Sequence, residues 1–149
     1  MQLGNHVDRN RTVLVIDENV ERHHGHHLHN WKKIVVPAGE EVKNMATVEN
    51  IIDGLTSHEA DRKTTLVGIG GGMITDVAGF AASIYMRGIP FGFVPTTLLA
   101  QVDASIGGKN GVSHGRHKNL LGIIRQPQFI LFDYTLPLSM PAEEWHNGF

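Results

Sequence analysis

The stretch Gly70-Gly71-Gly72-Met73-Ile74-Thr75-Asp76 joins an apolar run typical of a β-strand, residues 64–69, to a run typical of a helix, residues 77–86. Glycine lacks a Cβ, so backbone N–H groups in such a turn can approach a pyrophosphate closely. The unpaired amides and the positive dipole end of the following helix favour the negative charge of that ligand. The spacing differs from the G-x-G-x-x-G fingerprint of dinucleotide sites, so an ordinary tight turn remains an alternative.

Short apolar runs alternate with helical patterns along the chain. The strand candidates are residues 12–16, 34–36, 65–69, 91–94 and 129–132. Between the second and third of them, apolar residues recur at a spacing of three and four, which predicts a helix from Val42 to about Ser57. Strands separated by helices imply crossover connections and a parallel sheet covered on both faces. We therefore expect an α/β, Rossmann-like domain with a mainly parallel sheet flanked by helices, and we interpret residues 107–115 as a flexible glycine-rich loop.

The composition is that of an ordinary globular domain. The 149 residues are 41% hydrophobic, carry a formal charge of −2 and include no cysteine. Basic residues are scattered rather than clustered, which argues against a nucleic-acid partner, and no apolar run approaches the ~20 residues that cross a bilayer. The absence of cysteine excludes disulfides and thiolate metal sites and suits a reducing compartment. We expect a cytoplasmic protein that binds small molecules, with no nucleic-acid or membrane partner.

The residues that follow the glycine-rich stretch give it a more specific meaning. They are Arg87-Gly88, then Pro95-Thr96-Thr97-Leu98-Leu99-Ala100-Gln101-Val102-Asp103-Ala104-Ser105-Ile106-Gly107-Gly108-Lys109, then Gly111-Val112 and Lys118-Asn119. From Gly70 to Asn119 the sequence closely resembles the 3-dehydroquinate synthase family of sugar phosphate cyclases, and the resemblance extends more loosely from Val13 to Phe149. It implies that residues 1–149 form the N-terminal NAD-binding domain of such an enzyme, without the all-helical C-terminal domain of the family.

The resemblance also implies a set of NAD contacts. By their places in the family's motifs, these residues are Asp17, Glu40, Lys43, Gly71, Gly72, Met73, Asp76, Thr96, Thr97, Lys118, Leu136, Ser139 and Asn147. Several have a simpler structural interpretation: Asp17 as a helix cap, Lys43 as a solvated lysine, and Thr97 as a cap after a strand. Thr75 stands where the family commonly has glycine. Because a β-branched residue tolerates helical dihedral angles, we expect a regular helix start there.

Substrate contacts are implied for four residues, Arg87, Asp103, Lys109 and Asn119. Arg87 would hold the substrate phosphate across the interface of a homodimer, because a guanidinium can bind phosphate oxygens as a bidentate fork. Lys109 would offer positive charge to developing oxyanions. The structural alternatives are an ion pair between Asp103 and Lys109 and a solvated Arg87 at a helix end. Asn110 and Ser113 replace a threonine and an asparagine of the family loop.

The implied reaction uses NAD catalytically. NAD oxidises a secondary alcohol of 3-deoxy-D-arabino-heptulosonate 7-phosphate, phosphate leaves, the hydride is returned, and ring opening and aldol closure give 3-dehydroquinate, in the shikimate pathway to aromatic amino acids. A divalent metal, zinc or cobalt, polarises the reacting oxygens in the family. Its ligands, a glutamate and two histidines, fall beyond Phe149, so we expect this chain to bind NAD but not to catalyse cyclisation alone.

Other interpretations of the sequence compete with this one. Histidines crowd the segment His23-His24-x-His26-His27-x-His29, but no acidic ligand pattern accompanies them, so a solvated face is a better interpretation than a metal site. Two functional alternatives stay open: another sugar phosphate cyclase, of the aminodehydroquinate or valiolone type, and a non-catalytic nucleotide-binding module. The run 102–109 favours dehydroquinate synthase over the valiolone type but not over the aminodehydroquinate type.

Overall fold

The computed structural model describes residues 3–106 and 108–132, which form alternating strands and helices. The strands are β1 (Thr12–Asp17), β2 (Lys32–Val36), β3 (Thr65–Gly70), β4 (Phe91–Pro95), β5 (Lys109–His114), β6 (His117–Ile124) and β7 (Phe129–Ile130). The α-helices are α1 (Glu18–His24), α2 (Met45–Ser57), α3 (Gly72–Ile84) and α4 (Leu98–Ile106). Single 3-10 turns occur at Leu3–Asn5, Arg9–Arg11, Gly25–His27, Glu40–Val42 and Tyr85–Arg87.

Five strands form one parallel sheet in the order β2-β1-β3-β4-β7, and both of its faces are covered. The alternation of side chains along β1 shows this directly. Val13 and Val15 are buried in a cluster with side chains of α2 and α3, whereas Leu14 and Ile16 are buried on the opposite face with Val20 of α1. Apolar side chains on both faces are typical of a parallel sheet between helices. The predicted Rossmann-like α/β fold is therefore confirmed.

The helices agree with the sequence pattern in position but not at every boundary. α2 ends at Ser57 as predicted and begins at Met45 rather than Val42, because Asn44 Oδ1 caps it by accepting the Thr47 N–H at 3.0 Å. α3 begins directly after Gly71, ahead of the apolar run 77–86, and the regular helix start expected at Thr75 is confirmed, because Thr75 lies in the first turn. Within residues 3–106 and 108–132, no helix is long and apolar enough to span a bilayer.

The interpretation of residues 107–115 as a flexible loop is wrong for the part that the structure describes. Residues 109–114 form β5, which pairs with β6 in an antiparallel hairpin packed against α3. Gly111 lies opposite Gly122 in the register, and a Cβ at Gly111 would lie 2.5 Å from the Leu121 carbonyl oxygen. These glycines therefore permit close approach of two strands, whereas the sequence interpretation placed Gly111 in a loop.

Candidate functional site

A cleft of about 650 Å³ lies at the carboxyl edge of the parallel sheet and is called the cofactor cleft below. It is bounded by the β3–α3 turn, by the ends of β1 and β4, and by the segment after β2. The predicted cofactor residues that line it are Asp17, Glu40, Gly71, Gly72, Met73, Thr96 and Thr97. Ligands of open parallel α/β sheets bind at this edge, so the fold brings these residues together where a ligand is expected.

The β3–α3 turn opens backbone amides toward the cofactor cleft. Gly71 is the N-cap residue of the 13-residue helix α3 and provides no side-chain hydrogen bond to it. A Cβ at Gly72 would meet nothing within 4 Å, so there is open space beside the first residue of the helix. Gly70 O accepts a hydrogen bond from Thr96 N–H at 2.8 Å, which ties the ends of β3 and β4 together. An uncapped helix start with space beside it suits a pyrophosphate.

Two of the cleft residues also cap helices. Asp17 Oδ1 accepts a hydrogen bond from Val20 N–H at 2.8 Å at the start of α1. Thr97 Oγ1 accepts one from Ala100 N–H at 3.0 Å at the start of α4. The structural interpretation of both residues as caps is therefore correct, and both side chains stand at the edge of the cleft at the same time.

The cofactor cleft is also lined by three basic side chains of α1 that the sequence interpretation did not assign to it: Arg22, His23 and His24. Arg22 Nη2 donates a hydrogen bond to Asn19 Oδ1 at 2.6 Å. The available signal was their place on the helix that follows Asp17, which brings them back toward the carboxyl end of β1. The interpretation of His23 and His24 as part of a merely solvated face was incomplete, because both border the cleft.

Lys43 is a buried ion-pairing residue and not the solvated lysine of the simpler interpretation. Its side chain is only 7% exposed, and Nζ lies 3.2 Å from Asp76 Oδ2 and 3.3 Å from Glu40 Oε2. Its backbone oxygen accepts a hydrogen bond from Ser113 N–H of β5 at 2.9 Å. Lys43 therefore links the segment after β2 to α3 through its side chain and to the hairpin through its backbone.

The carboxyl group of Asp76 experiences opposing influences. Burial raises the pKa of Asp76 above its ordinary value, and the negative charges of Glu40 and Asp103 act in the same direction. Lys43 opposes them by its charge and by a hydrogen bond from Nζ. Desolvation is the largest of these influences, so the net pKa of Asp76 is raised.

A second cleft of about 730 Å³, called the substrate cleft below, lies between α3, α4 and the β5–β6 hairpin. It brings together the predicted substrate residues Asp103, Lys109 and Asn119 with Asp76. Asp103 and Lys109 are exposed, and the ion pairs found among the described residues do not join them. The structural interpretation of these two residues as an ion pair is therefore wrong, and both charges remain available to a ligand.

Arg87 is not brought to either cleft. It is exposed in the turn after α3. This turn lies about 20 Å along the helix axis from the start of α3, which borders the cofactor cleft. The φ of 68° at Arg87 and the φ of 49° at Met86 place two consecutive residues in the left-handed region. Lys118 is exposed on β6 and lines neither cleft. Leu136, Ser139 and Asn147 lie outside the described residues.

Asn110 attaches the hairpin to the rest of the substrate cleft. The residue is 3% exposed, and Nδ2 donates to Gly108 O at 3.2 Å and to Arg125 O at 2.9 Å. Its Oδ1 is buried without a hydrogen-bond partner and lies against Gly79 of α3. The sequence comparison noted Asn110 only as a replacement for threonine. The structure shows Asn110 bonded to both ends of the hairpin and packed against α3.

Metal ligands are not grouped together in the described part of the chain. Among residues 3–106 and 108–132, no group of three or more His, Asp or Glu side chains is placed to hold a metal ion. The histidine-rich segment shows ring contacts instead, with the His26 and His27 ring centroids 3.8 Å apart.

The parallel sheet, the open helix start at its carboxyl edge and the cleft beside it define a Rossmann-like α/β domain of the nucleotide-binding type. A sequence model described as 3-dehydroquinate synthase N-terminal matches residues 33–147. Since this match covers most of the chain, the protein belongs to the 3-dehydroquinate synthase family, as the motifs from Gly70 to Asn119 indicated.

Solved structures agree with this assignment. The chain is 33% identical to ValA, a 2-epi-5-epi-valiolone synthase from Streptomyces hygroscopicus subsp. jinggangensis 5008 with NAD⁺ and Zn²⁺ bound, at a TM-score of 0.85, over 93% of this chain and 41% of that one. It is 28% identical to a 2-deoxy-scyllo-inosose synthase complexed with carbaglucose-6-phosphate, NAD⁺ and Co²⁺, at a TM-score of 0.83, over 96% of this chain and 42% of that one. The chain thus spans about two fifths of the length of these relatives.

More distant proteins share the same fold. NADH-dependent butanol dehydrogenase A from Thermotoga maritima matches 93% of this chain at a TM-score of 0.66 with 15% identity. At that identity the likeness shows a shared fold alone. The sugar phosphate cyclases are the relatives that also share the sequence pattern.

Proposed function

We propose that this chain is the NAD-binding domain of a 3-dehydroquinate synthase, which converts 3-deoxy-D-arabino-heptulosonate 7-phosphate to 3-dehydroquinate with loss of phosphate. The observation that carries the proposal is the sorting of the predicted residues into two adjacent clefts. Cofactor residues line the cleft at the carboxyl edge of the sheet, and Asp103, Lys109 and Asn119 line the second one. Asp76 lies at the boundary, since it lines the substrate cleft and pairs with Lys43 beside Glu40 of the cofactor cleft.

The lining of the cofactor cleft supports NAD as its ligand. The space beside Gly72 and the uncapped start of α3 suit the pyrophosphate, and Asp17 at the end of the neighbouring strand suits a ribose hydroxyl. Thr96 and Thr97 close the cleft from the end of β4. Bound NAD would supply a reversible hydride acceptor.

The residues of the substrate cleft suit a polyhydroxylated, anionic ligand. Asp103 can accept hydrogen bonds from sugar hydroxyls, and Asn119 can both accept and donate them. Lys109 provides positive charge where an alcohol or enol oxygen develops negative charge. Because Lys109 is held on β5 by the hairpin ladder, its backbone position is fixed before a ligand binds.

The choice of the heptulosonate phosphate as the substrate goes further than the family assignment. The family match and the run of residues 102–109 support it, whereas the relatives of known structure are a valiolone synthase and an inosose synthase. Zinc or cobalt, as found with those relatives, would be held by residues outside the described part of the chain. We propose a cytoplasmic homodimer in which Arg87 binds substrate phosphate for the partner subunit, because Arg87 lies far from the clefts of its own chain.

Calorimetric titration of NAD⁺ into the 149-residue chain tests the cofactor half of the proposal. We expect saturable binding that Asp76→Ala weakens by about tenfold or more, whereas Asp53→Ala, on the exposed side of α2, leaves it unchanged. Absence of binding by a folded chain would refute an independent NAD site.

The reaction itself is tested with the whole reading frame from which the chain comes. Phosphate release from 3-deoxy-D-arabino-heptulosonate 7-phosphate, with NAD and zinc supplied, is the expected activity, and the 149-residue chain alone is expected to show none. Turnover of another sugar phosphate in place of this one would move the assignment to a different cyclase of the family.

A further inference from the structure

We propose that the tip of the β5–β6 hairpin is an electrostatic guide, which raises the rate at which an anionic sugar phosphate enters the substrate cleft. Arg116 is the residue to which we assign this effect, and it acts through its charge without touching the bound ligand. The inference rests on the proposed function, because that function makes the ligand a sugar phosphate. It adds a role for the hairpin tip to the contacts already assigned to Lys109 and Asn119.

The hairpin differs from the rest of the chain in its charge. Residues 104–132 hold four of the 13 Lys and Arg residues of the chain and none of its 15 Asp and Glu residues, although the whole chain has a formal charge of −2. Basic residues are scattered along the sequence, but carboxylates are missing from this one segment. The hairpin therefore forms a positive wall on a chain whose remainder is negative.

Positive charge is densest at the turn between the two strands. His114 and His117 lie opposite each other at the end of the ladder, and Arg116 lies between them in the sequence, with Lys118 following. All four side chains are exposed. Among the residues that the structure describes, the ion pairs all lie outside the hairpin and do not neutralise these groups. The charge of the tip therefore extends into the solvent.

The tip stands at one end of the substrate cleft. Asn119 on β6 lines that cleft, whereas Arg116 lines neither of the two clefts. With a rise of about 3.3 Å per residue along a strand, the backbone of Arg116 lies at most about 10 Å from that of Asn119. Ser113 Oγ accepts the Asn119 N–H at 3.2 Å, which ties the two strands together beside the tip. A charge at position 116 is thus near the cleft but outside it.

The substrate cleft itself opposes the entry of an anion. Asp76 and Asp103 both line it, and carboxylates repel phosphate and carboxylate groups. A heptulosonate phosphate carries about three negative charges, from one carboxylate and one phosphate group. Positive charge on the hairpin offsets this repulsion along the path of approach. Fields of this kind, summed over a protein surface, raise association rates by about 10–10³-fold.

Distance and screening by salt set the size of the effect at Arg116. At an ionic strength of about 0.01 M the Debye length is about 30 Å, so a charge about 10 Å from the cleft acts on an approaching ligand. At about 1 M the Debye length is about 3 Å, and the same charge is screened. One positive charge about 10 Å from three negative charges in water changes the local concentration of the ligand by about fourfold at the lower ionic strength.

The test is kcat/KM for 3-deoxy-D-arabino-heptulosonate 7-phosphate, measured for the whole reading frame at both ionic strengths with NAD and zinc supplied. At about 0.01 M we expect Arg116→Gln to lower kcat/KM by about fourfold and Arg116→Glu by about tenfold or more, with kcat unchanged. At about 1 M these differences should vanish. Arg116→Lys keeps the charge and should match the wild type throughout. Arg62→Gln is the matched control, because Arg62 is exposed in the turn before β3, at the opposite edge of the sheet.

A loss that persists at about 1 M, or that Arg116→Lys does not restore, would overturn the inference and favour a direct contact between Arg116 and the substrate. Equal losses in Arg116→Gln and Arg62→Gln would overturn it too, since net charge and not the hairpin tip would then matter. Wild-type kcat/KM in Arg116→Glu at low ionic strength would likewise refute it. If the wild type released no phosphate from this or any other sugar phosphate, the proposed function would fail and the inference with it, so the two failures are distinct.

Discussion

The side chain of Asn110 on β5 occupies the space beside Gly79 of α3 that a side chain at position 79 would need. Asn110 cannot easily move away, because Nδ2 is bound to the carbonyl oxygens of Gly108 and Arg125 and the residue is buried. The absence of a Cβ at Gly79 therefore allows the hairpin to lie directly on the helix and to close the substrate cleft.

Gly79→Ala is accordingly expected to destabilise the chain. The new methyl group would overlap Asn110 Oδ1, and overpacking of this kind costs about 1–3 kcal/mol. The same substitution at Gly72, the first residue of α3, meets nothing within 4 Å and should stabilise the chain by about 0.4–1 kcal/mol, because alanine restricts the unfolded chain. Urea denaturation of both variants measures the difference. Equal stability of the two would show that the hairpin does not depend on this contact.

Gly72→Ala should nevertheless impair cofactor binding. The space beside Gly72 is open in the protein alone, and it borders the cleft at the start of α3 where the pyrophosphate is proposed to bind. A methyl group there would hold the phosphate away from the amides, and we expect about a tenfold loss of NAD affinity by calorimetry. Gly4→Ala, which also meets nothing within 4 Å but lies outside the cleft, is the control. Full affinity in Gly72→Ala would place the phosphates elsewhere.

The parts of the structure that sequence could predict are those decided by local pattern. Apolar runs located the parallel strands, and the spacing of apolar residues located α2. Because ligands gather at the carboxyl edge of such a sheet, the turn at Gly71 and the residue Thr97 could be placed in one cleft. The hairpin was missed because glycine is typical of loops, whereas Gly111 and Gly122 lie opposite each other in a ladder. That pairing depends on the register between β5 and β6, which the glycines themselves do not indicate.

The surroundings of the charged side chains were also hard to predict from the sequence. A lysine such as Lys43 is solvated in most proteins, and only the packing of the segment after β2 against α3 and β5 shows that it is buried. Arg22 and His23 line the cofactor cleft from α1, which begins directly after Asp17 at the end of β1. The burial of Lys43 does not follow from the residues next to it in the chain, whereas the position of α1 was a signal for Arg22 and His23.

The pH dependence of stability should show the raised pKa of Asp76. Burial raises this pKa in the folded chain above the unfolded value of about 3.9, so the folded state binds the proton more tightly. The contribution of this carboxyl group to stability is therefore present below about pH 3.9 and is lost as pH rises through the folded pKa. Asp76→Asn removes the titration. Urea denaturation should show the stability of the wild type falling relative to Asp76→Asn as pH rises through this window, and a rise would reverse the assigned direction.

Thr97 is expected to stabilise α4 through its cap. Thr97→Val keeps the shape of the side chain but removes Oγ1, which accepts the Ala100 N–H at 3.0 Å, and should cost about 1 kcal/mol. Thr97→Ser retains the hydroxyl and should stay close to the wild type. Chemical denaturation compares the three proteins. If Thr97→Ser lost stability and Thr97→Val did not, the methyl group that faces Gly71 at the cleft, and not the cap, would be the contribution that matters.

Arg125 should anchor the base of the hairpin to the carboxyl end of α3. Its guanidinium carbon lies 5.0 Å from the centroid of the Phe91 ring, and Nη1 lies 3.5 Å from Ala82 O and Ser83 Oγ. A cation over an aromatic ring contributes about 0.5–2 kcal/mol, and positive charge near the end of a helix is favourable. Arg125→Met should therefore destabilise the chain by about 1–2 kcal/mol. Arg116→Met, at the exposed tip of the same hairpin, should have little effect. Equal losses in the two variants would mean that general charge, and not this contact, supports the hairpin.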